Sequence, residues 1–152
     1  MIVAFCGHSQ YVRCNEDEKM ILDFLEKRIG DYDCEFFLGE YGDFDHFAYE
    51  CAKKYQKSHP KAKLIKITPY IPARLKHDSI DQDNNRFDMI LYPDLETVPP
   101  RFAIVHRNRW IVKQADIIIS YITHRYGGAY TMYRYAKGMK KEIFNIATNQ
   151  DE

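Results

Sequence analysis

The chain has 152 residues, enough to bury a core without disulfides or metal, and 22 Lys+Arg balance 22 Asp+Glu to a formal charge of zero. No global basic field draws it to DNA or RNA, which argues against a nucleic-acid partner while leaving room for a local basic patch. Cys6, Cys14, Cys34 and Cys51 form no C-x-x-C pair, so the spacing excludes zinc-ribbon and thioredoxin sites and points to reduced thiols.

Residues Ile2 to Cys6 are a short apolar run ended by Gly7, the pattern of a buried parallel strand. This start is too short for a signal peptide and lacks a basic flank. No apolar run approaches the ~20 residues of a membrane span. A cytoplasmic protein with no membrane partner is expected. Asn15 and Glu18 have capping-box spacing. Ile21, Leu25 and Ile29 then recur at helical intervals up to Gly30, the expected stop. Cys34 to Leu38 is a second strand, closed by Gly39. Phe44, Phe47, Ala48, Cys51, Ala52 and Tyr55 follow the i, i+3, i+4 pattern behind Asp43, the candidate N-cap. Leu64 to Thr68 is a third strand. From Tyr70 to Pro100 the pattern weakens. Phe87 to Leu91 is a candidate strand there, and the rest is a long irregular excursion, either a binding loop or lid or a plain surface insertion. Arg101 to Ala115 is a helix with Pro100 at its start. Ile117 to Tyr121 is the most strand-like segment. Ala129, Met132, Tyr133, Ala136 and Met139 mark a last amphipathic helix, and Ile143 to Ala147 a final strand. This alternation predicts one α/β domain over 1–152, with a mostly parallel sheet and helices on both faces.

Ligands of such sheets sit beyond the carboxyl ends of the strands. Three loops there have suitable composition: Gly7-His8-Ser9, Gly39 to Asp43 with Gly42, and Tyr126-Gly127-Gly128-Ala129. Glycine admits a phosphate or ribose close to the main chain. None of the loops fits G-x-G-x-x-G or G-x-x-x-x-G-K-[ST], which disfavours standard dinucleotide and P-loop sites. Arg107 and Arg109, on the helix before the strongest strand, are candidates for holding a phosphate or carboxylate. The competing explanation is a surface pair, one arm bridged to Asp116. His8 is placed at the sheet's carboxyl edge, for ligand contact or a loop hydrogen bond. Asp43 and Asp45 are candidates for a ribose hydroxyl and Glu40 for an acid, against helix capping and solvation. The other histidines lack metal-ligand spacing, so no metal site is expected. No nucleophile–base pair stands out.

On these residues the chain resembles the SLOG superfamily, a Rossmann-like group that includes the lonely-guy phosphoribohydrolases, the DprA nucleotide-fold domain and YpsA-like bacterial proteins. It is most similar to small Firmicutes proteins of the YpsA-like branch. The elements that carry the likeness are Gly7-His8-Ser9, Gly39 to Asp45, Thr97 to Ile104, Arg107-Asn108-Arg109-Trp110-Ile111 and Gly127-Gly128-Ala129. The resemblance implies a Rossmann-like three-layer sandwich and a site for a nucleotide or an ADP-ribose-like ligand, with no known reaction for this branch. The lonely-guy enzymes use an arginine before the strand and P-G-G-x-G-T-x-x-E after it. Arg107 matches the first, and Gly127, Gly128 and Thr131 match three positions of the second. Tyr126 and Tyr130 replace the proline and the last glycine. Arg134 stands where the glutamate belongs, and a cation there opposes glycosidic chemistry while offering a further phosphate contact. The expectation is a non-catalytic sensor or adaptor for a small nucleotide-type ligand. The alternatives are an N-glycosidase or nucleoside deoxyribosyltransferase-like enzyme with a displaced acid among Glu40, Asp43 and Asp45, and a ligand-free protein-interaction scaffold. The tyrosine-rich last helix and the excursion are candidate homodimer contacts.

Overall fold

The computed structural model describes residues 1–70, 85–95 and 97–147. In chain order the elements are β1 (Ile2–Gly7), α1 (Asn15–Arg28), β2 (Glu35–Leu38), α2 (Asp43–Ser58), β3 (Lys63–Ile67), β4 (Met89–Leu91), a 3-10 turn (Pro100–Phe102), α3 (Ala103–Gln114), β5 (Ile117–Tyr121), α4 (Gly128–Gly138) and β6 (Glu142–Asn145). The strands form one sheet in the order β4-β3-β2-β1-β5-β6, with every neighbouring pair parallel. The sheet is thus wholly rather than mostly parallel. In the register, Ala4 of β1 lies opposite Phe37 of β2 and Ile118 of β5.

Both faces are covered, which explains why the strands read as unbroken apolar runs. Side chains alternate across the sheet. Val3, Phe5, Phe36, Ile117 and Ile119 pack on one face against Ile21 and Leu25 of α1 and the apolar stripe of α2. Ala4, Cys6, Phe37 and Ile118 pack on the other against Ile111 and Val112 of α3 and Met132 and Ala136 of α4. All four cysteines are free thiols. Burial pushes those of Cys34 and Cys51 up to about 12. Among the described residues no helix is long and apolar enough to cross a membrane.

Several local expectations are revised. The capping box does not form: Cys14 caps α1 without a side-chain bond. The Glu18 carboxylate is instead drawn to Lys54, distant in sequence, at 3.0 Å and to the nearby Arg13 at 3.7 Å. Asp43 is the first helical residue of α2 and not its cap, because the chain enters through Gly42 at φ 114°. Pro100 opens a 3-10 turn that leads into α3. The last strand stops at Asn145. There the Asn145 amide accepts the Ile122 and Ala147 N–H groups, at 3.1 Å and 3.3 Å, and so replaces ladder pairing. Most of the expected excursion, residues 71–84, lies outside the described residues.

Candidate functional site

The sheet winds outward from β1 through β2 and β3 to β4, then β5 returns to the other side of β1. At such a reversal the loops leaving the two central strands diverge and open a crevice. A cleft of about 450 Å³ lies at this end of the sheet. Its walls are the β1 exit from Gly7 to Gln10, the β2 exit at Gly39 and Tyr41, the Tyr126 to Ala129 turn, and side chains of α2 and α3. Loops far apart in sequence therefore share one cavity because of the strand order.

Arg107 is the least exposed charged residue lining the cleft, at only 4%. Its Nη1 donates to the Ile67 carbonyl at 3.2 Å, while Nε and Nη2 donate to Asn108 Oδ1 at 3.1 Å and 2.8 Å. A guanidinium has five N–H groups, so Nη1 and Nη2 each keep one for another acceptor. The ring of Tyr41 lies 5.1 Å from the guanidinium carbon. Gly39 explains how so large a group fits: a Cβ there would come within 2.8 Å of Arg107 Nη1 and 3.1 Å of Asp45 Oδ2. Asp45 Oδ2 accepts the Tyr41 N–H at 2.8 Å. Burial raises the Asp45 pKa, opposed by that N–H bond and by the Arg107 charge. Burial lowers the Arg107 pKa, opposed by Asp45. Each group offsets part of the burial cost of the other's charge, while the net shift of both is toward the neutral form.

The opposite wall is the first turn of α4. Gly127 precedes it at φ 91°, a conformation that favours glycine, and its carbonyl accepts both the N–H and the hydroxyl of Thr131 at 3.0 Å. Among the described residues, the N–H groups of Gly128, Ala129 and Tyr130 have no acceptor. A Cβ on Gly127 or Gly128 would meet no atom within 4 Å, so the turn is uncrowded there, and its amides lie at the positive end of a helix dipole. The Cys6 thiol donates to the Ala129 carbonyl at 3.1 Å and ties the turn to β1.

His8 joins the β1 exit to the loop after β5. Its Nε2 accepts the Thr123 N–H at 2.9 Å and the His124 N–H at 3.4 Å. A nitrogen accepting two N–H bonds carries no proton, so His8 is neutral with its proton on Nδ1. Burial, then the neighbouring His124, lowers its pKa. His8 stacks on His124 at 3.6 Å, and His124 stacks on Tyr126 at 3.9 Å. Tyr126 is 69% exposed, which leaves an aromatic surface at the cleft mouth.

Of the candidate residues, Gly7, His8, Ser9, Gly39, Asp45, Arg107, Gly127, Gly128 and Ala129 all line the cleft. The reasons differ from those expected for two glycines. A Cβ on Gly7 would lie 2.2 Å from Phe44 Cδ1, and one on Gly42 would lie 2.6 Å from Ser9 Cα, so both serve close packing. Arg109 points elsewhere, its guanidinium 5.5 Å from the Tyr135 ring. Residues two apart on a helix do not share a face, so no two-arginine fork forms. Asp116 bridges neither arginine; it accepts the Ile2 N–H at 2.7 Å at the far end of the sheet. Glu40 pairs with Lys66 and Arg86, and Asp43 accepts the Tyr11 N–H at 3.3 Å. Among the described residues Asp45 is the one carboxylate that lines the cleft. Arg134 is exposed and lines a neighbouring depression, so it does not oppose chemistry in the cleft. Tyr126 lines the cleft as part of the expected glycine loop, while the contacts made by Tyr41, Asn108 and His124 have no counterpart in the sequence reading. The described residues hold no cluster of three or more His, Cys, Asp or Glu suited to a metal.

No protein-family model matches the chain, and no curated protein does. A solved structure is similar to it: DNA processing protein A from Helicobacter pylori, a single-stranded-DNA-binding protein, at TM-score 0.60 and 18% identity over 99% of this chain and 70% of that one. The likeness establishes a DprA-like, Rossmann-like α/β fold. It also corrects the expectation that a nucleic-acid partner is disfavoured, since a protein of this fold binds one. The error lay in using total charge. Between Thr97 and Lys141 there are nine Lys and Arg against one Asp, leaving 13 basic and 21 acidic residues elsewhere.

Proposed function

We propose that this is a cytoplasmic member of the SLOG superfamily, of the YpsA-like branch, whose cleft binds a nucleotide-type ligand as a sensor or adaptor. The phosphate sits on the N–H groups of Gly128, Ala129 and Tyr130, with the two remaining N–H groups of Arg107 available to the ligand deeper in the cleft. The sugar hydroxyls turn to the free oxygen of Asp45, and the base lies against the Tyr126 face of the aromatic stack. The observation that supports this most is the meeting of bare helix-start amides and a buried, pre-oriented arginine in one cavity, since both act on anions and neither needs rearrangement. The volume suits a ligand of mononucleotide size. Given its structural neighbour, the nucleotide is either free or the end of a single strand.

A thermal-shift panel of nucleoside mono-, di- and triphosphates and ADP-ribose tests the proposal. A ligand at ~100 times its dissociation constant stabilises by about 2.7 kcal/mol. Gly128→Val places its side chain where the phosphate would lie, in space that is otherwise open, so the variant should fold and lose the shift. A shift that survives in Gly128→Val places the ligand elsewhere.

Asp45 supports a second reading, cleavage of an N-glycosidic bond. A carboxylate beside the sugar stabilises an oxocarbenium-like transition state or activates water. Water then adds to the anomeric carbon and its proton leaves with the base. Release of free base from a nucleoside 5′-monophosphate by the wild type, absent in Asp45→Asn, would establish this reading. Binding without turnover would leave the sensor.

A further inference from the structure

Beside the cleft lies a depression of about 610 Å³, bounded by the loop after β5, by α4 and by the end of β6. We infer that it is a strand-binding subsite, which holds phosphates and bases of a single-stranded nucleic acid whose terminal nucleotide occupies the cleft. The inference rests on the nucleotide reading above and adds the class and minimum length of the ligand.

Four residues of α4 make the floor. Tyr130, Tyr133, Arg134 and Lys137 fall at i, i+3, i+4 and i+7, which puts them on one helical face. That face is turned away from the one carrying Gly128, Ala129 and Met132 into the cleft. The Tyr130 and Tyr133 rings lie 6.3 Å apart and 28° from parallel, and Lys137 Nζ stands 4.9 Å from the Tyr133 ring. Arg125 adds a third cation from the loop. Among the described residues no Asp or Glu lines the depression, and neither Arg125 nor Arg134 makes an ion pair. The sequence around it is equally one-sided, with five Lys and Arg and no acid from Ile117 to Lys141.

His124 borders both cavities, so the depression continues the cleft and is not an isolated dimple. Unpaired cations interleaved with ring faces suit a single strand: the cations take successive phosphates and the rings take exposed bases whatever their sequence. A mononucleotide is too short to use both cavities, and a duplex presents no free base faces to the tyrosines.

Fluorescence anisotropy with a labelled 12-nucleotide single strand of mixed sequence tests this on the full chain. Wild-type protein should bind it, and R134E/K137E should lose at least about tenfold in affinity. Each lost phosphate contact changes the salt slope by about 0.7, so the slope should become shallower by about 1.4. The milder R134Q/K137Q should lose less in affinity with the same change of slope. Thermal shifts from mononucleotides should be equal in all three proteins. Strand binding unchanged in R134E/K137E, or a 12-base-pair duplex bound as tightly as the strand, overturns the subsite. Mononucleotide shifts with no strand binding overturn the subsite and leave the cleft reading standing. No response to either probe overturns both.

Discussion

Arg107 is held in one orientation, because Asn108 and the Ile67 carbonyl engage three of its N–H groups and Gly39 leaves it room. His8 has a comparable role on the facing loop, where it works as an acceptor. Protonating Nε2 would set an N–H against two backbone N–H groups. Its pKa is depressed in the fold, so this stabilising contribution is present above the unfolded value of about 6.5 and is lost as pH falls through the lower folded value. Melting temperature should therefore decline below about pH 6.5 in the wild type. His8→Gln keeps an acceptor that does not titrate and should flatten that decline; an equal decline in both proteins would assign it to other groups. The sequence indicated Arg107 and His8 but not their partners. Asn108 gives no signal, because neighbours in sequence on a helix do not ordinarily meet, and Tyr41 reaches Arg107 only through the fold. Arg109 was a misreading that its i+2 spacing already contradicted.

At the scale of elements, the turn into α4 is where backbone geometry makes the site. Gly127 and Gly128 are adjacent and both face open space, yet only Gly127 has positive φ. Alanine at Gly127 should cost about 1–3 kcal/mol, the penalty for a Cβ at positive φ with extended ψ. Alanine at Gly128 should be neutral or stabilise by up to about 1 kcal/mol, since it only narrows the unfolded ensemble. Urea unfolding of the two variants measures this; equal effects would contradict the assigned geometry. Strands and helices were largely legible from period and glycine punctuation, as with Ile117 to Tyr121 and the α2 stripe. Helix starts were not: Asn15 and Asp43 have good capping chemistry, but Glu18 found Lys54, and Gly42 had to admit the Ser9 loop. Tertiary partners decided both ends.

For the whole molecule, parallel strands with helices between them were predictable, and so was the gathering of the three glycine loops at one edge. The order that puts β5 beside β1 is not written in any local pattern, yet it alone brings Arg107, Gly39 and Gly128 to one cavity. Net charge misled because it averages an acidic first part with a basic stretch from Thr97 to Lys141. Charge counted by segment separates the two. If that stretch governs association, wild-type binding of a single strand should weaken steeply with salt, while binding of a mononucleotide should weaken only slightly.

We propose that the first-turn amides of α4 hold anions. Amide chemical shifts in a 15N-labelled sample, followed while a mononucleotide active in the thermal-shift panel is added, test it most directly. The Gly128, Ala129 and Tyr130 signals and the Arg107 Nε signal should move together and saturate at one dissociation constant. Saturation by such a ligand with those four signals unmoved would contradict the account.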